Sequence, residues 1–138
     1  TPGVLTENTN YVLPLADAGT SGDALTSNAS GVLSWTTMSG GTSWQAVKTS
    51  GFTAVAGEGY FCNTTSAAFE VALPAGTIGD EVSVIDYAGT FDTNNLTVAP
   101  NGSEKIEGTA ADLTVAVERA AFTLVFTDST QGWLLKDK

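Results

Sequence analysis

Carboxylates are the side chains of this sequence that are best suited to chemistry. The chain holds 15 Asp and Glu residues but no histidine, so neither a Ser-His-Asp triad nor a Cys-His pair can form. Two carboxylates about 5 to 10 Å apart would supply the acid and the base of glycoside hydrolysis. The candidates for such a pair are Asp80, Glu81, Asp86, Asp92, Glu104, Glu107 and Asp112.

Most of these carboxylates have a simpler explanation as turn residues. Asp80 and Glu81 open a strand-like segment after a glycine, and Asp92 lies in the turn-forming sequence "FDTNN". Asp86 is unexpected, since it lies within a strand next to Tyr87, and its position favours a hydrogen-bonded structural carboxylate. Because a polysaccharide-cleaving groove also needs a longer chain than this, we expect no enzymatic activity.

Cys62 is the only cysteine, so no disulfide forms within one chain. Its strand-like context, "GYFCNTT", favours a buried and inert thiol. One cysteine and no histidine leave no nitrogen or sulfur metal site. The sequence "DTNN" from Asp92 offers oxygen donors, but its spacing matches no defined calcium loop. We therefore expect no catalytic residue, no metal and no cofactor.

Aromatic residues are the candidates for contact with a ligand or with another protein. Trp44, Tyr60, Tyr87 and Trp133 could stack on sugar rings. Trp133 is followed by apolar residues, which favours a core or subunit contact over a ligand. A carbohydrate- or receptor-binding module of a tail fibre or a secreted protein is therefore an alternative function.

The charge of the chain restricts its partners. The formal net charge is −10, with five Lys and Arg residues among 138. Nucleic acids and anionic membranes are bound by basic patches, which five scattered bases cannot form. No segment approaches the roughly 20 apolar residues that span a bilayer. We expect neither nucleic acid binding nor membrane insertion.

Short alternating segments separated by Gly, Asn, Asp and Pro predict an all-β fold. In "DEVSVIDY", Val82, Val84 and Asp86 are predicted to face one side of a strand. In "FTLVFTD", Phe122, Leu124 and Phe126 share a face in the same way. The turn "PNGS" predicts a type I′ hairpin joining "LTVA" to "EKIEG", and "TAADL" from Thr109 predicts one helical turn.

The chain is predicted to divide near Gly40 and Gly41, where "SGGTS" forms a plausible hinge. Residues 1–41 are too poor in large apolar groups for a core and predict an extended β arm or stalk. Residues 42–138 predict a compact β-sandwich or jelly-roll-like domain.

Apolar residues in the arm have no evident partner nearby in the chain. These residues are Leu13, Leu25, Val32, Leu33 and Trp35. We predict that neighbouring copies of the chain cover them at a subunit interface. The alternative is that the segment from Leu25 to Trp35 forms edge strands on its own domain.

Two segments resemble virion structural proteins of tailed bacteriophages. "YVLPLADAGTSGDALTSNASGVLSWT" resembles a segment that recurs in the trimeric stalk or collar regions of phage tail fibres. "GDEVSVIDYAGTF" together with "FTLVFTDSTQGW" is similar to a β module of tailed-phage virion proteins. The resemblance implies a homotrimeric, all-β virion appendage without catalytic residues.

The sequence therefore predicts a non-enzymatic protein of the virion surface that acts by trimeric assembly and attachment to the particle. It would serve either as a capsid decoration or as a fibre module, on the capsid exterior or on the tail. The expected partners are its own copies, major capsid or tail proteins and, in the receptor-binding alternative, a host surface glycan.

Overall fold

The computed structural model describes residues 14, 16, 23–28, 30, 32–37 and 40–136. The regular secondary structure of these residues consists of β-strands, with no helix. The predicted all-β fold is confirmed. The chain falls into two units, which divide between Gly40 and Gly41. No described helix is long and apolar enough to cross a membrane.

The first unit contains an antiparallel hairpin of β1 (Asp23–Ser27) and β2 (Leu33–Thr37). Leu25 lies directly opposite Trp35, and Ser27 lies opposite Leu33. The side chain of Asn28 shapes the turn, because its Oδ1 accepts hydrogen bonds from the N–H groups of Ser30 and Val32 at 2.9 and 3.0 Å. Asn favours such turns since its short side chain bonds to the backbone that follows it.

The second unit consists of two sheets that enclose one core. The five-stranded sheet has the order β11-β10-β7-β5-β3, and the four-stranded sheet has the order β4-β6-β8-β9. The strands are β3 (Ser43–Trp44), β4 (Phe52–Thr53), β5 (Glu58–Cys62), β6 (Phe69–Ala72), β7 (Glu81–Asp86), β8 (Leu96–Ala99), β9 (Leu113–Val115), β10 (Ala121–Phe126) and β11 (Trp133–Leu135). Two sheets with a shared core agree with the predicted sandwich.

From β3 to β8 the chain winds as a parallel coil, in which each turn contributes one strand to each sheet. Successive strands from β3 to β8 alternate between the two sheets, so β3, β5 and β7 are parallel neighbours, as are β4, β6 and β8. Parallel strands cannot be joined by a tight turn, and here each intervening strand in the other sheet makes the crossover. The antiparallel strands β9, β10 and β11 complete the two sheets.

The core lies between the inward faces of the two sheets, and its members alternate along each strand. Val82 and Val84 of β7 are fully buried, as is Leu124 of β10. Phe126 packs edge-to-face against Trp133, with ring centroids 5.4 Å apart. Phe122 packs against the same core from a partly buried position. The predicted inward faces of both strands are thereby confirmed.

Two local predictions are wrong. β8 pairs with β9 and not with the segment from Glu104, so "PNGS" does not join two strands of a hairpin. A turn does form there, since the N–H of Glu104 donates to the carbonyl of Asn101 at 2.9 Å. The segment from Thr109 is not helical, because Thr109 bridges to Ile106. In the first case pairing with a more distant segment overrides the local preference, because β8 pairs with β9 and Ile106 bridges to Trp133. In the second case a local bridge replaces the helical turn.

Asp86 ties the end of the central strand β7 to two connections between the sheets. Its Oδ1 accepts hydrogen bonds from the N–H groups of Gly89 and Thr90 at 2.9 and 3.2 Å. Its Oδ2 accepts from Phe91 and Arg119 at 3.2 and 3.0 Å. Burial raises the pKa of Asp86, but these four donors outweigh it and hold the pKa below its usual value. The prediction of a structural carboxylate is confirmed.

Asp86→Asn tests this arrangement, because an amide keeps one acceptor oxygen and presents an NH₂ group to two backbone donors. We expect a loss of about 3 kcal/mol in the free energy of unfolding at pH 7, measured by urea denaturation. The ionised carboxylate stabilises the fold fully above the unfolded-state pKa of about 3.9. This contribution disappears as the pH falls through the lower folded-state pKa.

The variant should therefore show a shallower loss of stability below about pH 4 than the wild type. Asp112→Asn is the matched control, since Asp112 is exposed and its substitution should change stability by less than about 0.5 kcal/mol. An acid dependence as steep in Asp86→Asn as in the wild type would contradict the role given to this carboxylate.

Candidate assembly and ligand surfaces

The hairpin of the first unit carries its largest apolar side chains on one face. Leu25, Leu33 and Trp35 share that face because of the strand register. Leu25 is 43% exposed and Trp35 is 37% exposed. Val32, which was predicted to join this surface, is 51% exposed but lies on the opposite face, because side chains alternate along the strand. No side chain described in this unit is buried. The apolar face is therefore only partly covered within one chain.

The opposite face of the hairpin is lined with hydroxyl groups. The Oγ1 atoms of Thr26 and Thr36 lie 2.7 Å apart, and Thr26 also donates to the carbonyl of Ser34 at 3.1 Å. The hydroxyl face can form hydrogen bonds with water, whereas removing the leucine and tryptophan face from water is favourable. Leu13, which was predicted to join this surface, lies outside the described residues.

A second partly apolar surface is the outer face of the five-stranded sheet. Trp44 of β3 stacks on Phe61 of β5, with ring centroids 4.9 Å apart and an interplanar angle of 28°. Trp44 remains 46% exposed, and Tyr87, just beyond the end of β7, is 53% exposed. Ile85 lies between these positions and lines depressions next to both Trp44 and Tyr87.

The other two candidate aromatic residues lie in the core. Tyr60 is 2% exposed, and its hydroxyl donates to the carboxylate of Glu58 and accepts from the N–H of Val55. Trp133 is fully buried, and its indole N–H donates to Glu104 at 3.1 Å. A sugar cannot stack on either ring. The core contact favoured for Trp133 is confirmed, whereas the prediction that Tyr60 could contact a ligand is wrong. Burial raises the pKa of Tyr60 to about 12, with the Glu58 hydrogen bond adding to the rise.

Comparison with protein families decides the class of the protein. The family model described as "Bacteriophage T4 gp9/10-like protein, N-terminal" matches residues 7–134. The chain belongs to this family. It is a structural protein of a phage virion, and the predicted resemblance to such proteins is confirmed. No curated protein matches the chain.

Several of the candidate carboxylates of this gp9/10-like chain hold the fold, among them Asp80, Asp86 and Glu104. Glu104 is an example, since it accepts hydrogen bonds from the N–H of Gly76 at 2.9 Å and from the indole of Trp133. Among the described residues, no group of three or more Asp, Glu and Cys side chains is placed to hold a metal ion.

Three features of these surfaces escaped sequence reasoning. Phe61 was not singled out, although alternation in "GYFCN" places it opposite the buried Tyr60 and Cys62. Glu104 was assigned to a strand, while its role depends on Trp133, which lies far along the chain. The ring of Trp44 packs on the backbone at Gly59, and no local sequence pattern indicates which side chain packs on a glycine.

Cys62 of this gp9/10-like chain is fully buried and free, as predicted. Burial raises the pKa of its thiol to about 12, and the charge of Asp86 adds to this effect. Because the thiolate is the reactive form, we expect Ellman's reagent to label the folded protein at least about 100-fold more slowly than the protein in concentrated urea.

Ser129→Cys provides the control for this labelling experiment, because Ser129 is exposed. In that variant the thiol at position 129 should react at once, and the thiol of Cys62 should react only when the protein unfolds. Rapid labelling of Cys62 in the folded wild-type protein would contradict its burial.

Proposed function

We propose that this gp9/10-like chain is a non-enzymatic module of the phage tail that assembles as a homotrimer through the hairpin of its first unit. The single observation that carries the proposal is the apolar face formed by Leu25, Leu33 and Trp35, which remains partly exposed in one chain. Three copies around an axis would bring these faces together and leave the hydroxyl faces in water.

The stability of an isolated hairpin supports this proposal. A two-stranded hairpin is marginally stable in water unless its apolar face packs against something. Trp35 and Leu25 lie directly opposite each other, so a neighbouring copy would bury both side chains in one contact. Tryptophan residues at the centre of an interface contribute more binding energy than most other contacts.

The hydrogen bonds of the carboxylates support a structural role rather than a catalytic one. Asp86 is saturated by four backbone donors, and Glu104 is occupied by Gly76 and Trp133. A general acid or base must be within reach of a substrate proton. The chain also has no histidine to activate a hydroxyl or thiol nucleophile.

The tail is favoured over the capsid because the amphipathic hairpin suits a stalk around an axis. Capsid decoration is the other location that the sequence suggested. Immunogold electron microscopy of intact particles with antibodies to this chain separates the two. We expect label on the tail, and label spread over the head would refute this part of the proposal.

Trp35→Ala tests assembly through the hairpin. Light scattering coupled to gel filtration should give three times 14.1 kDa for the wild type at micromolar concentration. Removing each indole should cost on the order of 2 kcal/mol per subunit. The trimer of the variant should therefore dissociate at a concentration at least tenfold higher.

Trp44→Ala is the matched control, since it removes a similarly exposed indole from the second unit. It should leave the mass of the assembly unchanged. A monomeric wild-type protein, or a Trp35→Ala protein that assembles as tightly as the wild type, would refute the proposal. Unfolding curves of both variants should show an intact second unit.

A further inference from the structure

Trp44 is fixed flat on the outer face of the five-stranded sheet. One ring contact is Phe61, at 4.9 Å between centroids. The other is the backbone at Gly59, where an added Cβ would lie 2.6 Å from Cε3 of Trp44. The indole therefore occupies the space that any larger residue at position 59 would fill, while 46% of Trp44 remains exposed. A ring held in this way offers a rigid platform.

The platform borders a shallow depression of about 330 Å³ with an uncharged lining. Its lining includes Thr123 and the largely buried Ser83, whose hydroxyl oxygens are 2.9 Å apart and hydrogen-bonded to each other. Each hydroxyl oxygen retains further acceptor capacity. A second depression of about 520 Å³ continues the first one past Ile85 and is bordered by Phe61, Tyr87 and Arg119.

We propose that this outer face is a binding site for a neutral polysaccharide chain, with Trp44 as the stacking platform. A pyranose ring has an apolar face of C–H groups and a rim of hydroxyls. The indole suits the apolar face, and the partly exposed hydroxyl of Thr123, held by Ser83, suits the rim. Tyr87 provides a second exposed ring further along the same face.

The uncharged lining of the depression beside Trp44 favours neutral over anionic saccharides. No acidic or basic side chain lines the depression beside Trp44. The chain as a whole carries a net charge of −10, which repels phosphorylated or uronic acid polymers. The polysaccharide is therefore expected to carry hydroxyl groups and no ionised groups at neutral pH.

The size of the surface favours a saccharide over a protein. A stable protein interface involves about 20 to 30 residues a side. Here the uncharged area is short, since the Glu81–Lys136 ion pair lies at one end of β7 and Arg119 lies beyond the other.

The outer face of the four-stranded sheet offers no comparable platform. Strand alternation leaves small or acidic side chains there. They are Thr53, Glu70, Ala72, Thr97, Ala99 and Thr114. Exposed aromatic rings are therefore not a general feature of the outer faces of this unit.

The test is affinity electrophoresis of the full chain through gels that contain dextran, mannan or galactan, with polygalacturonate as the anionic comparison. We expect at least one neutral polymer to retard the wild type and polygalacturonate not to. Trp44→Ala should weaken the retardation at least tenfold. Trp44→Phe, which keeps an aromatic ring, should retain most of it.

Trp35→Ala is the control, because Trp35 lies in the other unit. At a protein concentration at which both proteins are trimeric, it should bind the neutral polymer like the wild type, since loss of the trimer would by itself lower the avidity for a polymer. The proposal fails if no neutral polymer retards the wild type or if Trp44→Ala binds as well as the wild type. It also fails if Trp44→Ala lowers the mass of the assembly, since the ring would then belong to a contact between copies.

Discussion

The arrangement of the second unit depends on one buried carboxylate at the end of its central strand. Each oxygen of Asp86 accepts two backbone hydrogen bonds, one pair from Gly89 and Thr90 and the other from Phe91 and Arg119. These donors lie in the connection from β7 to β8 and in the connection from β9 to β10. An unpaired N–H group in the interior is costly. The carboxylate satisfies four such groups at the place where the chain crosses between the sheets.

The parallel coil explains why backbone N–H groups need a side-chain acceptor such as Asp86. Strands that alternate between two sheets require a crossover after every strand, and each crossover leaves backbone groups outside the ladders. The coil also fixes what the outer faces display. β3 and β5 are parallel neighbours, which places Trp44 opposite Gly59 in the register. The same strand then carries Phe61 on the outside and Tyr60 and Cys62 in the core.

The two apolar surfaces of this gp9/10-like protein belong to different units and suit different partners. The hairpin face is aliphatic and aromatic, with a self-paired hydroxyl face behind it. Such a surface suits identical copies, because a symmetric assembly uses the same patch on every subunit. The sheet face combines one fixed ring with hydroxyl groups in shallow depressions, which suits a neutral ligand. Under the two proposals, the first unit would serve assembly and the second unit would bind a saccharide.

The sequence by itself determined the β class, the inward faces of β7 and β10, the burial of Cys62 and the structural role of Asp86. Each of these follows from local alternation, or from the cost of leaving a charge unpaired in a strand. Local pattern carries no information about which distant strand becomes a neighbour. Only the tertiary structure therefore decided three features. The strands from β3 to β8 form a parallel coil, Glu104 accepts a hydrogen bond from Trp133, and the ring of Trp44 packs on the backbone at Gly59. The same reason explains the candidate aromatic residues. Only Trp133 carried a local sign of burial, in the apolar residues that follow it, whereas strand pairing decided that Tyr60 is buried and that Trp44 and Tyr87 are exposed.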